Sequence, residues 1–246
     1  MANEEGVKQY LDMQHRQYQG RASVAIVKKD GIDMEAVVGS YQLQEKFPYD
    51  ANILKYFTGN PAESSILEYG CGPGRNLKRL APKFKLVAGT DISEYNISNA
   101  VKFLNLNGIT NFDLMRTTGD NVPFGSNMFD VVFEVICMQH ICSYTIRSRI
   151  MDDLVRVTKP GGIMVMQLGF NKPPLPVFNN GNYYVGYYDE RFDVQDTNGW
   201  CDCCVTDESQ IINDFEKRGL KDIKTWHTTG VNDPNHDSWI WCCGTK

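Results

Sequence analysis

Three carboxylates and three glycines stand at spacings that chemistry can use. In "ILEYGCGPGRN" (residues 66–76) an apolar run carries Glu68 near its end and is followed by Gly70, Gly72 and Gly74 at alternate positions. Glycine gives up more conformational entropy on ordering than any other residue, so this spacing serves neither helix nor strand, and something needs the backbone itself. A strand, a glycine turn and a helix opening near Arg75 form a nest of backbone N–H groups beside a helix N-terminus, where no Cβ blocks a ligand. Dinucleotide-binding folds space such glycines G-x-G-x-x-G; here the third comes one residue early. About one βα unit later, "LVAGTDIS" puts Asp91 at a strand end, where a carboxylate accepts from both hydroxyls of a ribose. The following unit, "TTGDNVPF", places Asp120 between Gly119 and Asn121 at the end of a third strand, able to accept from an exocyclic amine such as that of adenine.

These residues need a frame that holds strand ends side by side. From residue 65 onward short β-branched runs alternate with amphipathic stretches, the pattern of a parallel sheet flanked by helices. The pattern predicts strands near 65–69, 85–90, 112–117, 129–136 and 162–168, with helices near 75–82, 93–106 and 143–157. A helix over Asp207–Lys217 ends at Gly219, and strands at 220–228 and 238–243 flank "GVNDPNHD" as an antiparallel hairpin. Ahead of the core, residues 4–19 read as a surface helix, "VAIVKKDGIDMEAVV" as a hairpin about its Asp-Gly or, nearly as well, a helix, and Tyr49–Phe57 as a further helix.

The whole is expected to be one α/β domain over 1–246: a Rossmann-like, doubly wound, seven-stranded sheet with an antiparallel C-terminal hairpin. Its parts are an N-terminal helical and hairpin cap (1–60), a cofactor-binding core (61–170), an acceptor lid (171–206) and a C-terminal helix and hairpin (207–246). The lid reading rests on a long segment rich in Pro, Gly, Asn and aromatics, in which Gly181, Gly186 and Gly199 are hinges. Tyr183, Tyr184, Tyr187, Tyr188 and Trp200 are its wall, or else the tyrosines pack as a satellite core.

With 246 residues, 42% of them hydrophobic and 22% charged, the chain has the makings of a large globular core. A formal charge of −5 supplies no basic field and disfavours nucleic acid as a partner. No stretch approaches the ~20 apolar residues of a membrane span, and the N-terminus lacks the pattern of a signal peptide, so the cytoplasm is the expected location. The eight cysteines are then expected to be free thiols. "CDCC" (201–204) lacks C-x-x-C pairing, and Cys242 and Cys243 point to opposite faces of a strand, so packed thiols are favoured over a metal site.

The ordered set of "ILEYGCGPGRN", "LVAGTDIS", "TTGDNVPF", "FDVVFEVICMQHI" and "LVRVTKPGGIMVM" resembles the class I S-adenosylmethionine-dependent methyltransferases of the small-molecule type, over about Ser65–Leu168. The resemblance implies S-adenosyl-L-methionine as cofactor. Glu68, Gly70 and Gly72 would surround its methionine part with Glu134 as a neighbour; Asp91 would meet the ribose, Ile92 the adenine face, and Gly119, Asp120 and Asn121 the adenine edge. It implies methyl transfer to a hydroxyl or amine of a small molecule such as a sugar or other polar metabolite. The alternatives are a protein or nucleic-acid methyltransferase and a non-catalytic cofactor-binding subunit. A hydroxyl acceptor calls for a general base, and of the four histidines His140, after the fourth strand, is the leading candidate, weighed against a packing role. His227 and His236 are weaker candidates, and His15 is expected to be solvated.

Overall fold

A computed structural model describes residues 3–21, 28–29, 32–33, 49–175, 178–179, 182–192, 201–229 and 236–246. Along the chain the elements are α1 (Glu4–Arg21), β1 (Lys28–Lys29), β2 (Ile32–Asp33), α2 (Asp50–Ile53), β3 (Ser65–Tyr69), α3 (Arg75–Leu80), β4 (Leu86–Asp91), α4 (Glu94–Leu106), β5 (Phe112–Arg116) and β6 (Phe129–Val135). A 3-10 turn at Met138–His140 precedes α5 (Tyr144–Val157), β7 (Thr158–Phe170), β8 (Phe178–Asn179), β9 (Asn182–Gly186), β10 (Cys201–Cys204), α6 (Glu208–Lys217), β11 (Lys221–Thr228) and β12 (Ser238–Thr245).

Seven strands form the main sheet in the order β11-β12-β7-β6-β3-β4-β5. The pairs β3/β4, β4/β5, β3/β6 and β6/β7 are parallel, while β12 runs antiparallel to both β7 and β11. This is the doubly wound sheet with an antiparallel end that the alternation predicts. Central strands buried on both faces need unbroken apolar runs, and β3 is buried at all five positions. Successive residues feed opposite layers. Leu67, Val132, Met164 and Cys242 pack with α1, α5 and α6, whereas Ile66, Val131, Val165 and Cys243 pack with α2, α3 and α4. Helix starts are set by side-chain caps. Ser93 accepts from the Asn96 N–H at 3.2 Å, Ser143 from Ile146 at 3.4 Å, and Asp207 with Gln210 makes a capping box at α6.

Several expectations need correction. The first helix is at the surface, as expected, with Glu4, Glu5, Lys8, Gln9, Asp12 and Arg16 exposed; its other face, Val7, Tyr10, Met13 and Gln14, is buried, and the Tyr10 hydroxyl accepts from the Cys142 N–H at 2.7 Å. His15 likewise bonds Thr118 O at 3.0 Å through Nε2. The helix expected over 49–57 stops at Ile53 and continues as turns. β7 starts four residues earlier than expected, beyond a register shift opposite Phe129 and Val131. The reading of eight free thiols fails at one pair, because Cys142 and Cys201 form a disulfide across 59 residues; β10 packs on the Met138–His140 turn, which brings Cys201 over the segment after β6. Cys71, Cys137, Cys203, Cys204, Cys242 and Cys243 are free, and among the described residues no cluster is arranged to hold a metal.

Within the 171–206 segment, β8, β9 and β10 make a small sheet, joined to the main one by a bridge between Phe170 and Val205. Gly181, Gly199 and Trp200 lie outside the described residues, as do the Asp30-Gly31 turn between the antiparallel β1 and β2 and most of the hairpin turn at 230–235. Of the tyrosines, Tyr188 is exposed, but Tyr187 is fully buried in the core beside Met151 and Phe215. Its hydroxyl donates to the buried Asp214 at 2.9 Å, which also accepts from Tyr144 at 2.6 Å. Arg147, fully buried as well, donates to the carbonyls of Ile141 and Tyr187. Tyr187 therefore packs rather than walls a pocket. Tyr187→Phe leaves Asp214 short of a donor and is expected to lower unfolding free energy in urea by about 1–3 kcal/mol, the usual cost of an unpaired buried polar group.

Candidate functional site

The sheet order reverses at β3. The chain runs outward through β4 and β5, then returns to β6 on the other side, and in open α/β sheets ligands occupy the crevice beyond the carboxyl ends at such a point. Four expected residues or segments meet there: the turn after β3, the end of β4, the loop after β5 and the turn after β6.

Gly70, Gly72 and Gly74 are all left-handed, with φ of 71°, 51° and 85°, for three different reasons. A Cβ on Gly70 would overlap Cys137 Sγ and lie 2.6 Å from Cys137 Cβ. One on Gly74 would sit 3.2 Å from Ala100 Cβ on α4. Nothing lies within 4 Å of the Gly72 position, so that Cα faces open space. The turn differs from a bare nest of donors, since Gly70 and Cys71 donate to Thr90 O at 2.7 and 3.0 Å and Gly72 donates to Asp91 Oδ2 at 2.9 Å.

Below this turn Glu68 is 3% exposed. Its Oε1 accepts from Asn76 Nδ2 at 2.6 Å, while its buried Oε2 has no hydrogen-bond partner among the described residues. Burial pushes the carboxyl up to about 8, and the nearby Asp91 and Glu134 add to the shift against the opposing pull of Asn76 and Arg75. A buried oxygen lacking a donor fits an ammonium group such as the one on the cofactor's methionine part, and the open face of Gly72 fits close approach of that part.

Asp91 is buried and held by three donors: Gly72 N, Ser93 N at 2.8 Å and Asn96 Nδ2 at 3.3 Å. Burial raises its pKa. It thus caps α4 and anchors the glycine turn with the same carboxylate. Beside it, Ile92 Cδ1 lies 2.8 Å and Leu11 Cδ2 3.0 Å from where a Gly119 Cβ would be, so Ile92, Gly119 and α1 are packed together. Asn121 closes its own loop, its Oδ1 accepting from Thr117 Oγ1 at 2.7 Å and Thr118 N at 3.0 Å. Asp120 pairs with Arg149 at 3.3 Å, and Arg149 also holds Glu4 of α1 at 2.6 Å. A cavity of about 310 Å³ opens here, lined by Lys8, Leu11, Asp12, His15, Thr118 and Asp120 among others.

After β6, Glu134 is fully buried with both oxygens engaged: Oε2 accepts from Cys137 N and Met138 N at 3.2 and 3.1 Å, and Oε1 from Gln167 N at 3.0 Å. Burial pushes it up to about 7. It folds the turn that sets Cys137 against Gly70 and presents His140. The His140 ring meets a residue that sequence reasoning passed over within "CDCC": Asp202 Oδ1 lies 2.5 Å from His140 Nδ1. A lone Asp among cysteines on a fully buried strand was the available signal. The other two candidate histidines differ in setting. His227 lies between Ser238 Oγ at 2.8 Å and Glu208 Oε1 at 3.0 Å, and His236 Nε2 is 4.0 Å from Asp202 Oδ2.

Residues 67–166 match the family model of the methyltransferase domain. The chain is 30% identical over 105 residues to a phthiotriol/phenolphthiotriol dimycocerosates methyltransferase 1 of Mycobacterium ulcerans, covering 41% of this chain and 35% of that protein. It is also 30% identical over 107 residues to a 2-methyl-6-phytyl-1,4-hydroquinone methyltransferase of Synechocystis, covering 43% and 32%. The chain spans well under two thirds of the length of the curated relatives it matches. Its fold is shared with a phosphoethanolamine N-methyltransferase 1 of Haemonchus contortus solved with phosphoethanolamine and S-adenosylhomocysteine, at a TM-score of 0.64 and 13% identity over 96% of this chain and 49% of that one. Sheet order and family match agree on the class: residues 67–166 carry a methyltransferase domain on the class I S-adenosylmethionine-dependent fold, and S-adenosylmethionine is the cofactor of that domain.

Two measurements check this geometry. Gly70→Ala meets a left-handed φ and both the Cys137 sulfur and its Cβ, and is expected to destabilise by about 2–4 kcal/mol; adding Cys137→Ala removes the sulfur but keeps the Cβ 2.6 Å away, and recovers only part of that loss. Glu68, with its pKa raised from 4.5 to about 8 on folding, binds more protons folded than unfolded between those values. Its contribution is therefore fully present below the ordinary carboxylate range and lost as pH rises through 8. Thermal melts of the ligand-free protein should show wild type losing stability relative to Glu68→Gln between about pH 5 and pH 8.

Proposed function

We propose that the protein transfers a methyl group from S-adenosylmethionine to a hydroxyl or amine of a small molecule, with a sugar or other polar metabolite within that class. The observation that carries the reading is Glu68: a buried carboxyl group with an unpartnered oxygen, at the end of the strand that leads into a glycine turn whose Gly72 Cα faces open space. Burial without a partner is costly, and a cationic ligand removes the cost. In this reading Glu68, Gly70 and Gly72 hold the methionine part, with Glu134 supporting the turn beside it. Asp91 accepts from the ribose, Ile92 covers the adenine face, and Gly119, Asp120 and Asn121 border its edge. When bound, the cofactor supplies an activated methyl group with a good leaving group, so the protein's task is to align the acceptor and exclude water. His140 is the candidate base for an acceptor that must lose a proton.

Small-molecule acceptors are favoured by two matched relatives, a phthiotriol and a hydroquinone methyltransferase, and by the phosphoethanolamine bound in the structural neighbour; a third relative, a tRNA/tmRNA (uracil-C(5))-methyltransferase of Campylobacter concisus that is 39% identical over 59 residues, speaks for the nucleic-acid alternative. The negative formal charge argues against nucleic acid. Among the described residues no helix is long and apolar enough to cross a membrane. Calorimetry is expected to show binding of S-adenosylhomocysteine, weakened by about 1–3 kcal/mol in Asp91→Asn. Equal affinity in wild type and variant would sink the ribose assignment. Turnover on a broad acceptor panel separates an enzyme from a non-catalytic binding subunit.

A further inference from the structure

Resting on the methyl-transfer reading, we propose that the acceptor atom is a hydroxyl oxygen and that Asp202, contributed by the inserted strand β10, is the positioning residue that lets His140 take its proton. Asp202 has a side chain 2% exposed, on a strand whose other three members are buried cysteines. A charge in such a place is expensive unless it is matched. Its match is His140 Nδ1 at 2.5 Å, with His236 Nε2 at 4.0 Å on the other oxygen.

The pairing fixes what the imidazole can do. With Nδ1–H donated to the carboxylate, the lone pair of the neutral ring is at Nε2, and the carboxylate stabilises the cation that forms when Nε2 gains a proton. The two segments that carry the pair are fastened to each other twice, and α1 holds one of them as well. The disulfide joins Cys142, two residues after His140, to Cys201, one residue before Asp202. Cys203 Sγ donates to Met138 O at 3.8 Å, and Tyr10 Oη holds Cys142 N. His140 also belongs to the turn whose Cys137 packs on Gly70, so the pair stands on the same carboxyl edge as Glu68.

A neutral amine attacks with its own lone pair and needs no base, whereas an un-ionised hydroxyl does. In the transfer the acceptor oxygen forms a bond to the methyl carbon, the carbon–sulfur bond breaks with its electrons going to sulfur, and the hydroxyl proton passes to His140 Nε2 and then to water.

The test uses the full chain labelled with 15N-histidine and loaded with S-adenosylhomocysteine. Two-bond 1H–15N spectra should show His140 protonated at Nδ1 with the lone pair on Nε2, a preference lost in Asp202→Asn. A lone pair on Nδ1, or a spectrum indifferent to Asp202→Asn, overturns the proposal without any acceptor being known. With S-adenosylmethionine and catechol as the probe, Asp202→Asn should lower kcat about 100-fold, within the range of general-base effects, with the KM for cofactor unchanged. The loss should shrink on 4-nitrocatechol, whose hydroxyl ionises more readily. Methyl transfer to 1,2-phenylenediamine that is faster than to catechol and indifferent to Asp202→Asn would also refute it. If S-adenosylhomocysteine fails to bind, the methyltransferase reading itself falls; if it binds and the tautomer is wrong, only the His140–Asp202 proposal does.

Discussion

One carboxylate holds the crevice open. Asp91 accepts from Gly72 N in the turn after β3 and from Ser93 N at the start of α4, so a single side chain fixes the spacing between two crossover connections. Were that tie absent, the left-handed turn would have to find other acceptors for its amides, and the open face of Gly72 would have no fixed position relative to the end of β4. Everything expected of the cofactor site depends on that spacing: the depth at which Glu68 lies, the placement of Ile92 and the packing of Gly119 against it.

The same tie alters how the glycine turn works. In the simplest picture such a turn offers its N–H groups to a ligand. Here Thr90 O and the Asp91 carboxylate take them, and what remains for a ligand is steric access at Gly72 and an acidic oxygen beneath it. The glycines are thus divided between packing and access. Gly70 and Gly74 admit Cys137 and Ala100, while Gly72 alone admits nothing from the protein.

The main sheet was legible because its information is local. Strands buried on both faces must be unbroken apolar runs, and turn glycines and serine caps mark where they stop, so β3, β4, β5 and β6 fall within a residue or so of expectation. The glycine turn, Asp91 and the 117–121 loop could be found for the same reason. What escaped depends on partners far away in sequence. Nothing near Tyr10 announces that its hydroxyl will meet Cys142 N. The docking of β10 on the turn at Met138–His140 is non-local, and both the disulfide and the Asp202 contact to His140 belong to it. The four tyrosines read as a unit, one aromatic wall or one satellite core, but a buried Asp214 draws Tyr187 into the core while Tyr188 stays outside. Composition alone carries no sign of that division.

The burial of α1 also has a consequence for the order of events during synthesis. Its apolar face closes on residues that come much later in the chain, Cys142 and Phe192 among them. At about 5–20 residues per second, a ribosome needs on the order of ten seconds or more to add the stretch between α1 and β10. Through most of that interval Tyr10 lacks its native partners, since Cys142 and Phe192 are still to be made. The helix is thus made well before the residues that it packs on, and the nascent chain must keep its apolar face from pairing elsewhere until they arrive.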